Sequence, residues 1–157
     1  MRKRIIKPVQ PAAEIPGGAW LDLDALAEVE VTSEDRAHPV ESALLPDEHA
    51  GWRAGETGAQ TIRLLFPEPQ RLTRIWLKFL ESEAERTQEY VLRWSPDRGA
   101  SFHEIVRQQW NFSPLGATTE VEDHQVDLPT VTVLELIILP DIGGKPVTAS
   151  LQAMRLA

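Results

Sequence analysis

The sequence predicts an all-β fold of the sandwich type. Its apolar residues alternate with polar ones in segments of about five to nine residues, which is the period of a half-buried strand. Turn-forming residues separate these segments, and strands at such spacing are typical of sandwiches and barrels. Helical periodicity is confined to two short stretches, 21–27 and 41–48, so helices are expected to be minor elements.

An irregular arm, residues 1–18, is predicted ahead of the domain. Pro8, Pro11 and Pro16, followed by two glycines, prevent a continuous helix or central strand there. A single domain, residues 19–157, is expected to follow, since 157 residues fit one domain. A chain of this size buries enough surface to fold without disulfides.

Six segments have strand character. They are 29–31, 62–66, 75–79, 90–94, 131–139 and 147–156. The fifth is a nearly unbroken apolar run rich in β-branched residues, as expected for a buried strand. Proline, glycine and short polar residues predict turns between the strands, at 67–69, 95–99, 113–114 and 141–146.

Composition and charge exclude several classes of protein. The chain has no cysteine, which excludes a disulfide framework, a thiolate metal site and a cysteine nucleophile. Four of the sixteen basic residues lie in the first seven positions, so the rest carries twelve basic against twenty-four acidic side chains. A body this acidic repels a nucleic-acid backbone, which argues against DNA or RNA as a partner unless the basic start acts as an arm.

The same reasoning addresses location. No stretch approaches 18 apolar residues, so no membrane-spanning segment is predicted. The basic start is followed by Ile5 and Ile6 but then by Lys7 and Pro8, so it lacks the apolar region of a secretory signal. A cytoplasmic location is therefore expected.

Sequence motifs of common enzymes and metal sites are incomplete. His103-Glu104 could begin a zinc-protease motif, but Arg107 stands where the second histidine is required. Gly143-Gly144-Lys145 lacks the glycine spacing and the hydroxyl residue of a phosphate loop. The four histidines lie far apart, with no pair at ligand spacing. The sequence therefore predicts a protein that is not an enzyme and has no metal cofactor.

Several short motifs occur in a particular order. The sequence has Glu30 to Asp35, then Gly51-Trp52-Arg53-Ala54, then Tyr90 to Ser95 with Asp97 and Gly99, and finally 149–156. Their order resembles the discoidin-like, or coagulation factor 5/8 C-type, domains over residues 28–157. It also resembles the N-terminal domain of the X-ray-repair cross-complementing scaffold of single-strand-break repair. The resemblance implies an eight-stranded jelly roll of the galactose-binding type, whose loops at one end hold a ligand.

The resemblance has implications for ligands and metals. Members of this family bind sugars, phospholipid head groups, proteins or damaged DNA, so the fold alone does not select the ligand. Many sugar-binding members hold a structural calcium through an aspartate-rich loop before the tryptophan and a glutamate in the closing strand. Asp47 lies in that loop here, but Ala153 stands at the glutamate position, which argues against calcium.

A candidate ligand site can be assembled from exposed aromatic, amide and charged residues, since sugars are bound by ring stacking and by hydrogen bonds. If the loops of one end converge, the site consists of Trp110, Asn111, Phe112, Arg98, His103, Arg36, His38 and Arg53. Strand alternation favours a partly buried Trp110, whereas Asn111 and Phe112 are expected to be exposed. Trp52 is expected to belong to the core rather than to the ligand surface.

The sequence thus favours a non-catalytic binding module, and in particular one for carbohydrate. The alternative is a protein-interaction domain of an intracellular assembly, as the resemblance to the repair scaffold suggests. An enzyme with a glycosidase-like pair of carboxylates is a third class, but nothing in the sequence shows two acids facing each other.

Overall fold

A computed structural model of the chain describes residues 1–5 and 14–157. In these residues the chain forms eight strands and two one-turn helices. In chain order they are α1 (Leu23–Leu26), β1 (Glu28–Val31), α2 (Glu41–Leu44), β2 (Trp52–Thr57), β3 (Gln60–Leu80), β4 (Arg86–Ser95), β5 (His103–Phe112), β6 (Thr119–Leu139), β7 (Thr148–Leu151) and β8 (Ala153–Leu156). The all-β prediction and the two short helical stretches are confirmed. None of the helices in the described residues has the length and apolar character to cross a bilayer.

Two antiparallel layers are linked by the two long strands. One layer has the order β1-β3-β6-β4-β5. The second half of β3 also pairs with β8, and β2 pairs with β7. Because β3 and β6 each run for 21 residues, both strands bend and contribute to the two layers. This arrangement is the predicted jelly-roll sandwich.

The predicted turn at residues 67–69 is wrong, because β3 continues through them. Its register against β6 shifts between Leu65 and Gln70, so the strand bends without reversing. Pro67 and Pro69 have no N–H to donate, and a proline pair therefore interrupts the hydrogen-bond ladder while the backbone remains extended. The first half of β6, which pairs with β3 beyond this bend, was not predicted as a strand.

The core lies between the layers. Alternate residues of β3, β4 and β6 point inward, including Ile62, Leu64, Tyr90, Leu136 and Ile138. The other buried members include Phe66, Leu72, Ile75, Leu77 and Phe79 of β3, with Leu151, Met154 and Leu156 of the closing strands. Trp52 is 1% exposed, which confirms that it belongs to the core.

The segment that precedes α1 docks on the sheet. Trp20 donates from its indole N–H to the carbonyl of Pro16, and its ring lies under the guanidinium of Arg74 at 4.9 Å. The N–H of Leu21 donates to the carbonyl of Leu156 at 2.8 Å. The predicted arm, 1–18, lies partly outside the described residues, so its extent stays a prediction.

The sandwich has two different ends, which the antiparallel register defines. The loop end comprises 32–40, 45–51, 81–85, 113–118 and 140–147. The hairpin end comprises the bend of β3 at 66–70 and the turn 96–102, and Arg98 donates there to the carbonyl oxygens of Phe66 and Pro67. Because β5 has ten residues, its two termini lie about 30 Å apart, one at each end.

Candidate ligand-binding site

The first loop, 32–40, is folded by hydrogen bonds to side chains. The carbonyl oxygen of Ser33 accepts a hydrogen bond from the indole N–H of Trp52, and the hydroxyl oxygen of Ser33 accepts one from the N–H of Gly55. The carboxylate of Glu34 accepts from the N–H of Val40 at 2.8 Å. The loop therefore lies against the start of β2.

The backbone of Arg53 fixes the position of His38. Arg53 accepts from the N–H of Asp35 at 2.8 Å and donates to the carbonyl of His38 at 3.2 Å. The carbonyl oxygen of Asp35 in turn accepts a hydrogen bond from the N–H of His38, so the four residues 35–38 form a closed turn. As a result the His38 ring, which is half-buried, lies beside an exposed arginine.

A polar cleft of about 200 Å³ opens at this point of the loop end. Its walls come from six parts of the chain: the first loop, the loop 45–51, the start of β2, the end of β3, the loop 81–85, and strand β7 with the residue that follows it. The lining residues are His38, Ala50, Trp52, Arg53, Leu80, Glu81, Ser82, Glu83, Ser150, Leu151 and Gln152. Histidine, arginine, carboxylate, hydroxyl and amide groups thus face one space, as in sites that bind a hydroxyl-rich ligand.

Glu81 is held in place by a buried cation. Its carboxylate accepts from Nε of Arg86 at 2.7 Å, and the N–H of Glu81 donates to the carbonyl of Thr118. Arg86 is 1% exposed and also donates to the carbonyl of Pro140 at 2.8 Å. This network fixes the start of the loop 81–85, whereas Ser82 and Glu83 beyond it are exposed.

The wall of the cleft opposite the loop 81–85 depends on Gln152 and Gly51. Gln152 donates from its amide to the carbonyl of His49 at 2.7 Å. Gly51 has a φ of 72°, and a Cβ at this position would lie 2.8 Å from Oε1 of Gln152 and 3.0 Å from the carbonyl oxygen of Leu151. Only glycine therefore fits where the chain enters β2 beside the cleft.

A second cleft of about 210 Å³ adjoins the first. The two share Arg53, Glu81, Glu83 and Ser150, and the second extends to Ala84 and to Pro146, Val147 and Thr148. Together they form one groove with Arg53 at its centre. Within residues 1–5 and 14–157, Arg53 has no carboxylate in salt-bridge range, so its guanidinium is available to a ligand.

The structure separates the residues that the sequence grouped into one site. His38 and Arg53 lie together in the groove, and Arg36 is exposed in the same loop but outside the lining. Arg98 and His103 lie at the hairpin end, where the Arg98 guanidinium is occupied by two backbone carbonyls. The expected convergence of all eight residues is therefore wrong, because β5 spans the whole length of the sandwich.

The expectation that Phe112 is exposed is also wrong, whereas Trp110 keeps part of its ring covered, as strand alternation predicted. Strand β5 continues to Phe112, so alternation places this ring inside, where it is 0% exposed and lies 4.9 Å from the Arg86 guanidinium. Trp110, on the same face but less covered, is 36% exposed. Asn111 points to the opposite face, and its Oδ1 accepts from the Thr87 hydroxyl at 3.1 Å. The predicted aromatic and amide surface is thereby divided.

Sequence reasoning missed the residues of the groove that lie outside the first loop and β2. Glu81, Glu83, Ser150 and Gln152 belong to this set. The available signal was the run 81–86, which places three glutamates and one arginine directly after an apolar strand. Without the topology, nothing connected that run with His38.

The calcium site implied by the family resemblance does not fit this chain. Among the described residues there is no group of three or more histidine, aspartate or glutamate side chains that could hold a metal ion. Asp47 is exposed, and Ala153 offers no side-chain oxygen at the closing-strand position. The carbonyl oxygens of Ala43 and Leu45, at the end of α2, are bonded to the guanidinium of Arg155.

Comparison with solved structures identifies the fold. A family 32 carbohydrate-binding module from Clostridium perfringens, in complex with GalNAc-β-1,3-galactose, matches 88% of this chain and 99% of its own with a TM-score of 0.65 at 19% identity. Another family 32 module, from a family 31 glycoside hydrolase of the same organism, matches 87% of this chain and 93% of its own with a TM-score of 0.66 at 17% identity. A chitosan-binding module from a Paenibacillus chitosanase/glucanase matches 83% of this chain and 94% of its own with a TM-score of 0.61 at 16% identity.

These similarities define the class of fold. The chain has the discoidin-like, galactose-binding-type jelly roll of the family 32 carbohydrate-binding modules, and the resemblance predicted from the sequence motifs is confirmed at the level of the fold. No protein-family model and no curated protein sequence matches the chain.

Proposed function

We propose that this protein is a non-catalytic carbohydrate-binding module whose ligand lies in the groove around Arg53. The observation that carries the proposal is the convergence of His38, Arg53, Glu81 and Glu83 on one polar cleft at the loop end. Support also comes from modules of the same fold, which are described in complex with GalNAc-β-1,3-galactose or as binding chitosan.

The groove suits a ligand rich in hydroxyl groups. A carboxylate accepts from sugar hydroxyls, a guanidinium donates to ring and hydroxyl oxygens, and an imidazole nitrogen can do either. The Nδ1 of His38 is buried and has no hydrogen-bond partner in the described residues, and His38 is one of the residues that line the cleft. Charged hydrogen bonds, donated by Arg53 and accepted by Glu83, would orient the sugar.

Ring stacking contributes little to recognition in this groove. The lining contains one aromatic residue, Trp52, and its ring is buried. Binding therefore depends on hydrogen bonds that replace bonds to water, which give small net gains. We expect affinities in about the millimolar range, or roughly 4 kcal/mol.

The proposed absence of catalysis follows from the environment of the carboxylates. Glycoside hydrolysis by two acids requires one of them to remain protonated while the other is ionised. The carboxylate of Glu81 is engaged in a salt bridge with the Arg86 guanidinium, and Glu83 is exposed, so the structure gives neither carboxylate a donor role toward a glycosidic oxygen. Prolonged incubation with the bound glycan should release no reducing ends.

The experiment is calorimetric titration with a panel of glycans, comprising GalNAc-β-1,3-galactose, galactose, chitosan oligosaccharide and oligogalacturonate. We expect at least one ligand to bind, with about tenfold weaker affinity for Arg53→Ala and for His38→Ala. Arg71→Ala is the matched control, because Arg71 is an exposed arginine paired with Asp127 outside the groove. Absence of binding across the panel, or equal losses in all three variants, would refute the proposal.

A protein-interaction function is the second candidate, and one observation favours it. Five large apolar residues of the domain are exposed at strand ends or in loops of the loop end: Leu80, Trp110, Leu115, Leu139 and Ile142. Exposed apolar groups concentrated in one region can mark a contact surface. A stoichiometric partner captured by the native chain and lost in Leu115→Ser/Ile142→Ser, with glycan binding unchanged, would support this function.

The cytoplasmic location stays a prediction, which fractionation of the source cells would test.

A further inference from the structure

Arg155 is a buried cation that has no acidic partner in the described residues. It is 5% exposed and forms no salt bridge there. Its guanidinium instead donates to three backbone carbonyls: Ala43 at 2.9 Å, Met154 at 2.8 Å and Leu45 at 3.2 Å. Burial lowers the pKa of Arg155, but an arginine remains charged at neutral pH.

Two of the three carbonyls that hold this charge come from the end of α2. The last carbonyls of a helix lack partners within the helix, and backbone carbonyl oxygens are also ligands that a hard cation such as calcium selects. Two of the three acceptors, Ala43 and Leu45, lie in the segment that leads into the loop 45–51. The third belongs to β8, so Arg155 connects this segment to the closing strand.

The position of Arg155 relative to Ala153 is informative. Residues 153 and 155 are two apart in β8, so their side chains leave the same face of the strand. The family resemblance expects a calcium-binding glutamate at 153. In this chain that face carries alanine at 153 and a guanidinium at 155, so a positive group is supplied by the protein itself.

We propose that Arg155 is an internal cation that replaces a structural calcium and clamps the loop 45–51 to the closing strand without a metal. A second bond, from Gln152 to His49, holds the same loop near its other end. The loop leads to Ala50 and Trp52, which line the cleft. Arg155 is thus a positioning residue; its effect on a ligand rests on the proposed function, but the clamp does not.

The test is thermal unfolding with either EDTA or millimolar calcium. The native chain should melt at the same temperature in both conditions. Arg155→Ala should melt lower by roughly 6–12 °C, because buried carbonyls lose their donors. Millimolar methylguanidinium should restore part of that loss, and it should not raise the melting temperature of the Arg71→Ala control.

Arg155→Lys serves where Arg155→Ala does not fold. It keeps the charge but cannot reach all three carbonyls, so amide hydrogen exchange in 45–50 should accelerate while exchange in β5 stays unchanged. Stabilisation of the native chain by calcium, or its destabilisation by EDTA, would overturn the proposal. Unchanged exchange in 45–50 or the absence of methylguanidinium rescue would overturn it as well. None of these measurements uses a glycan, so they are independent of the proposed function.

Discussion

The N–H of Arg53 donates to the carbonyl oxygen of His38 at 3.2 Å, and this bond joins strand β2 to the first loop, 32–40. This bond places an imidazole on one side of a polar groove, together with a guanidinium that has no carboxylate partner among the described residues. The loop 81–85 supplies the carboxylates on the other side. The proposed recognition of a carbohydrate depends on this pairing across the loop end.

Gly51→Ala should destabilise the entry to β2. The positive φ and the 2.8 Å approach to Gln152 both oppose a Cβ, so we expect a loss of about 1–3 kcal/mol in the free energy of unfolding. Urea denaturation measures it. Gly116→Ala is the control, since nothing lies within 4 Å of a Cβ there and its φ is not positive. Equal stabilities of the two variants would contradict the prediction.

Removing the Glu135 carboxylate should be costly. Glu135 is 1% exposed on the outer face of the sheet, and its two oxygens accept from Arg63 at 2.9 Å and Arg93 at 2.7 Å. Glu135→Gln leaves Arg93 without a carboxylate among the described residues and leaves Arg63 with the exposed Glu30 alone, so we expect a loss of about 2–3 kcal/mol by chemical denaturation.

The control for this variant is the exposed pair of Arg71 and Asp127. Asp127→Asn should cost less than about 0.5 kcal/mol, because solvent-exposed pairs contribute little. A loss in Glu135→Gln no larger than in Asp127→Asn would show that the buried carboxylate does not stabilise the sheet.

The stability of the protein should depend on pH through Glu120. Its carboxyl group is 1% exposed, accepts from Gln88 at 3.3 Å, and has one oxygen without a partner in the described residues. Burial, together with neighbouring Glu122, raises the pKa of Glu120 from 4.5 to about 8. The positive charge of Arg86 opposes this rise only in part.

The direction of the effect follows from proton binding. Between pH 4.5 and about 8 the folded protein holds a proton that the unfolded chain releases, so stability falls as pH rises through this window. The slope should approach about 1.4 kcal/mol per pH unit. Glu120→Gln removes the titrating group and should flatten this part of the profile. Identical profiles for the native chain and the variant would contradict the assignment.

The two aromatic residues at the end of β5 should respond differently to truncation. Phe112→Ala removes a ring that is 0% exposed and should cost about 3–5 kcal/mol. Trp110→Ala removes a ring that is 36% exposed and should cost less than half as much. Chemical denaturation of both variants measures the difference, and the reverse order would restore the assignment expected from the sequence.

Local sequence signals predicted the fold well, because alternation and turn chemistry act over a few residues. Ile62 to Phe66 and Tyr90 to Trp94 show the period of a strand, and both segments are strands with one buried face. The proline pair 67–69 was misread, since a proline can bend an extended strand as well as end it. The exposure of Phe112 depended on whether the strand reached residue 112, which local signals leave open.

The candidate site was predictable only in part for a different reason. His38 and Arg53 belong to motifs that were recognisable in the chain. Glu81, Glu83 and Gln152 reach the same groove because β3 pairs with β8 and β2 pairs with β7. A single sequence does not encode that proximity in any local pattern, so these residues became candidates only in the folded structure.

The central claim is tested most directly by nitrogen–proton correlation spectra recorded during titration with GalNAc-β-1,3-galactose and with chitosan oligosaccharide. We expect saturable shifts, with either ligand, at the amides of His38, Arg53 and Ser150 and at the side-chain amide of Gln152, while Arg98 and His103 stay unchanged. No shifts with any glycan of the calorimetric panel, or shifts confined to Trp110 and Asn111, would contradict a carbohydrate site in this groove.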